Sequence, residues 1–138
     1  MMKIFFAAVA VALSTSAAFA ANDGMMQGVM ASDQDVSNGI VSAEKITAAQ
    51  NGWLVVHRTD AEMKPGPVVG YAPIRGGETM DVAAILTEPV KAGDMLMLMV
   101  HGEDGGNIVG NFEYTLGAKE DGPVKIDGKL IMTVITAK

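Results

Sequence analysis

After its first twenty residues the chain meets turn residues too often to build a long amphipathic helix, and this interruption most constrains its fold. Asn38-Gly39 precedes an apolar run at residues 40–46. Asn51-Gly52 precedes another at 53–57, and Asn-Gly readily takes the positive φ of tight hairpin turns. Pro65-Gly66-Pro67 opens residues 68–72, which flanking prolines reduce to an edge strand or an ordered loop. Gly76-Gly77 leads into 80–86, Gly93-Asp94 into 95–101, and a glycine-rich loop at 102–107 into a strand around 111–115. A turn-rich stretch at 117–128 precedes the last run, 130–136. Short runs at regular spacing with no 3.6-residue apolar period predict an all-β sandwich of about seven strands.

Two of these runs end in histidine and hold every histidine of the chain: Trp53-Leu54-Val55-Val56-His57 and Met95-Leu96-Met97-Leu98-Met99-Val100-His101. Alternate side chains of a strand share a face. Met95, Met97, Met99 and His101 therefore line one face of the second run, and Trp53, Val55 and His57 one face of the first. If those faces meet, imidazoles and thioethers converge on donors that suit copper as Cu(I) without a thiolate. The metal ligands are then His57, Met97, Met99 and His101, with Met95 in reserve. Met25, Met26 and Met30 form a second, looser methionine group. The competing reading is an ordinary core, because methionine fills irregular apolar gaps. The register between the two runs decides between them.

The ends bound the compartment. Lys3, the apolar stretch 4–13 and the small-x-small site Ala18-Phe19-Ala20 predict an export signal over residues 1–20. A flexible leader is expected over 21–36 and one β-sandwich domain over 37–138, placed in the periplasm or secreted. No apolar stretch reaches the about 20 residues a bilayer requires, so no membrane insertion is expected after cleavage. The chain has no cysteine, which removes disulfides, iron–sulfur clusters, thiol catalysis and blue-copper thiolate sites. Removing Lys3 with the signal leaves nine basic residues against sixteen acidic, a net −7. That balance argues against nucleic acid as a partner.

The loop after His101 offers Glu103, Asp104 and Asn107 as oxygen donors for calcium, although the spacing falls short of the twelve-residue EF-hand pattern. No nucleophile elbow, His-Glu-x-x-His or phosphate loop is present, so no enzyme activity is expected. Trp53 reads as a core anchor and Asp121-Gly122-Pro123 as a turn without chemistry. A non-enzymatic binding or structural module of the envelope follows, with an unknown protein or envelope partner. A periplasmic copper-binding protein is the alternative, and a calcium-binding surface module a second one.

Trp53-Leu54-Val55-Val56-His57, Val69-Gly70, Asp81-Val82 with Leu86, Leu98-Met99-Val100-His101 with Glu103-Asp104-Gly105, and Asp121-Gly122-Pro123-Val124 occur in an order that resembles the exported domain of unknown function DUF7282. The resemblance runs from about Ile40 to the C-terminus. It implies an immunoglobulin-like or cupredoxin-like β-sandwich with no activity to carry over. His57 and His101 match positions where the family tends to carry histidine. The methionines around His101 depart from it, since simple aliphatics are the expected occupants there.

Overall fold

The computed structural model describes residues 26–138. The expected export signal over 1–20 and the first leader residues, Met25 included, lie outside the described residues. No helix occurs among the described residues, and so none is long and apolar enough to cross a membrane.

Nine strands form among the described residues: β1 Gly28–Met30, β2 Ile40–Ala48, β3 Gly52–Thr59, β4 Val68–Ile74, β5 Gly77–Leu86, β6 Met95–Gly102, β7 Lys125–Ile126, β8 Lys129–Leu130 and β9 Met132–Thr136. Seven make one antiparallel sheet in the order β1-β2-β5-β4-β3-β6-β9, and β7 and β8 form a separate hairpin. Asp127 and Gly128 both take positive φ at the tip of that hairpin, as its two-residue loop requires.

The sheet folds on itself because two of its joints are short. β4 meets β5 only at Gly70–Leu86 and Tyr71–Ile85. Pro73, which has no N–H to give, sits beyond that joint, where β4 has lost its second neighbour. On the far side a parallel bridge joins Gln34 to Ala137, and the Lys138 N–H donates to the Gln34 carbonyl at 2.9 Å. The result is an all-β sandwich, nearly closed into a barrel. Val41 and Ala43 of β2, Leu54 and Val56 of β3, Ala84 of β5, and Leu96 and Leu98 of β6 fill its interior.

Four expectations change. Residues 26–36 are not a flexible leader: β1 pairs with β2, Val29 and Val36 lie in the core, and the Gln34 amide exchanges two hydrogen bonds with the Ser42 backbone. Residues 68–72 belong to β4, which is paired with β3 along its length rather than confined to an edge. Asn51-Gly52 turns no hairpin, since β2 and β3 lie apart in the sheet. Gly52 is needed there for a different reason, because a Cβ would stand 2.2 Å from the His101 carbonyl oxygen. Finally, residues 111–115 form no strand, and the Glu113 N–H goes instead to the Asp121 carboxylate.

A chain beginning at Ser37 is therefore expected to lose stability. Deleting two buried valines removes about 1.5–3 kcal/mol each in apolar burial, before the lost Gln34 bonds. Thermal unfolding of the chains 21–138 and 37–138 checks this, and equal midpoints would restore the flexible leader.

Candidate metal centre

β3 and β6 pair so that Trp53 faces His101, Val55 faces Met99 and His57 faces Met97. Directly paired residues share a face, so the two histidine-bearing faces are one face. It points away from the sandwich interior, yet His57, His101, Met97 and Met99 are all fully buried. The cover is the segment 103–122, which lays Phe112 and Tyr114 over the strands. The Tyr114 ring stands edge-on to His101 at 4.5 Å and to His57 at 5.9 Å.

The two histidines stand at opposite ends of this patch and lean towards each other over the Val55–Met99 row. Their rings lie 5.3 Å apart at 29°, and the two Nε2 atoms are 3.2 Å apart. The other nitrogens fix the tautomers. His57 Nδ1 meets the Gly66 carbonyl at 2.8 Å and His101 Nδ1 meets the Asp121 carbonyl at 2.6 Å. A carbonyl only accepts, so each Nδ1 carries the hydrogen and donates. In neutral imidazoles both Nε2 atoms then present lone pairs to each other.

Burial favours that neutral form. It pushes the pKa of both histidines below the ordinary 6.5, with the carbonyl bonds opposing. His101 falls to about 4, helped by the neighbouring His57. Two lone pairs aimed at one point are complementary to a cation. Metal–nitrogen bonds of about 2.0–2.1 Å spanning this separation subtend roughly 100–106°, close to tetrahedral. An Nδ1–H held by a backbone carbonyl is also the arrangement that orients metal-binding imidazoles.

The structure brings together the four residues expected from sequence and adds one. Met132 of β9 pairs with Met99 and so lies on the same face, half-buried. A single methionine in the last strand carried no local signal. Met95 lies further along the strand, opposite Thr136. Met26 and Met30 are exposed, and Met30 pairs with Lys45 in the other half of the sheet.

Asp121 is more than a turn. It is fully buried with φ of 47°, and its carboxylate accepts from the backbone N–H groups of Asp104 at 3.1 Å and Glu113 at 2.8 Å. One residue thus ties the cover down and holds His101 through its carbonyl. Glu103 fastens the same segment, accepting from Trp53 Nε1 at 2.8 Å and from the Gly110 N–H at 3.2 Å. Trp53 accordingly anchors the covering segment rather than the interior, its ring tilted against Phe112 and edge-on to Tyr71. Both Glu103 oxygens have partners, and Asn107 is exposed. Among the described residues no three His, Asp or Glu side chains gather as a metal site, so two imidazoles are the whole nitrogen set.

Two outcomes follow for this buried network. The unfolded histidines take up protons below about 6.5 while the folded ones resist, so stability is full above that pH. It falls as the pH drops towards 4, by on the order of 3 kcal/mol for His101. Urea unfolding at pH 7.5 and 5 checks the sign, and greater stability at pH 5 would mean that the pair stores a shared proton. Asp121→Asn leaves one covering-segment amide facing an NH₂ group. It is expected to cost about 1–3 kcal/mol, with faster hydrogen exchange confined to residues 103–122.

The family model described as "Domain of unknown function (DUF7282)" matches residues 27–138, which takes in β1. No curated protein and no solved structure matches the chain. From the first strand to its last residue, this chain belongs to the DUF7282 family.

Proposed function

We propose that the protein is an exported, non-enzymatic β-sandwich module that holds a transition-metal ion between His57 and His101. One observation carries the reading: two fully buried imidazoles face each other through unprotonated Nε2 atoms at 3.2 Å, each oriented by an Nδ1–H bond to a backbone carbonyl. A core that only needed filling gains nothing from two opposed lone pairs, whereas a bound ion satisfies both.

Sequestration suits this site better than turnover. Both ligands are closed off from solvent beneath Phe112 and Tyr114, so an ion fits the chemistry there and an organic substrate has no approach. Export is supported by Lys3, the apolar stretch and Ala18-Phe19-Ala20. A protein or envelope partner that takes the ion has to displace the segment 103–122 first. Calcium finds no support in this geometry, since neutral nitrogen donors suit late transition metals and not a hard cation.

The test is metal titration of the tag-free chain 21–138, with Cu(I), Zn(II), Ni(II) and Co(II) as separate probes. One ion per chain is expected for at least one of them. His57→Ala and His101→Ala should each weaken binding by more than the roughly 10–100-fold of an outer-sphere change. Circular dichroism should show that both variants keep the β fold. Failure of all four metals to bind returns the pair to a structural role and the protein to a plain envelope module.

A further inference from the structure

Resting on that reading, we infer that the bound ion is monovalent, Cu(I), and that the Met99 thioether completes its coordination beside His57 and His101.

The argument begins with charge. The imidazole and thioether donors of this face are all neutral: two imidazoles with hydrogens on Nδ1, and the thioethers of Met97, Met99 and the half-buried Met132. The buried carboxylate nearest in the network is Asp121, and both of its oxygens are occupied by N–H groups of the covering segment. No carboxylate is therefore offered to the ion. The solvation cost of a buried charge rises with its square, so a divalent ion with neutral ligands costs about four times what a monovalent ion does. A dry site without an anion discriminates against Zn(II) and Cu(II) on that ground alone.

The second line is donor softness and place. Thioethers favour Cu(I) over the harder divalent ions. Met99 pairs with Val55, in the row between those of the two histidines, so it rises on the shared face between them. Met97 pairs directly with His57 and is equally buried. The methionines of β6 are thus concentrated on the imidazole face. Leu96, Leu98 and Val100, on the other face of the same strand, keep aliphatic side chains in the sandwich core. A requirement for volume alone would not sort the two types by face.

The experiment compares Cu(I), and Ag(I) as its redox-inert stand-in, with Zn(II) and Cu(II), on the tag-free chain and on Met99→Leu. Leucine for methionine conserves volume, so the fold is expected to survive. Expected are one Cu(I) or Ag(I) per chain and Zn(II) weaker by at least about tenfold. Met99→Leu should weaken Cu(I) by about tenfold or more and leave Zn(II) affinity unchanged. X-ray absorption of the Cu(I) form should show sulfur in the first shell of the unaltered chain, and this decides the thioether even if the variant fails to fold. Zn(II) binding as tightly as Cu(I), or a Cu(I) shell without sulfur, overturns this inference while the histidine site stands. Binding of no metal at all overturns both.

Discussion

Burial of both faces of β3 and β6 is the constraint from which the rest of the structure follows. A strand packed on one side by the sandwich interior needs a second cover, and here that cover is the segment 103–122, which forms no strand. Its backbone groups have to find partners elsewhere, because an unpaired buried N–H costs about 1–3 kcal/mol. Asp121 answers much of that demand with one carboxylate, and Glu103 adds the link to Trp53 and Gly110. The polar network is therefore as much a part of the second core as the aromatic rings above it.

Within that second core the histidines are the costly members. Each removes a polar ring from water and recovers only one protein hydrogen bond, at Nδ1. The Pro65-Gly66-Pro67 segment shows how closely the first of those bonds is built. Gly66 lies against Arg58, where a Cβ would approach the carbonyl oxygen to 2.7 Å, and its own N–H donates to that oxygen. At the other end Gly52 packs directly on the backbone of His101. Gly66 thus holds the His57 ring through its own carbonyl, and Gly52 leaves room for the backbone of His101.

What could be read from the chain alone was local. The alternation that put Met95, Met97, Met99 and His101 on one side of a strand depends only on the two-residue period of extended backbone, and it holds. Register is a different matter, since it is set by contacts between residues far apart in sequence. Nothing near His57 tells that it faces Met97, and nothing near Met132 tells that it faces Met99. Asp121 looked like a turn because its immediate neighbours make one, while its carboxylate partners lie 17 and 8 residues away. Gln34 was hidden in the same way by the small polar residues around it.

The single tryptophan has a practical consequence. Its indole N–H is held by a glutamate of the covering segment, and its ring lies edge-on or tilted against Tyr71 and Phe112. Any displacement of that segment exchanges a carboxylate for water at the indole. The protein thus carries its one tryptophan against its cover, and the emission of that indole should report any displacement of the segment without an added label.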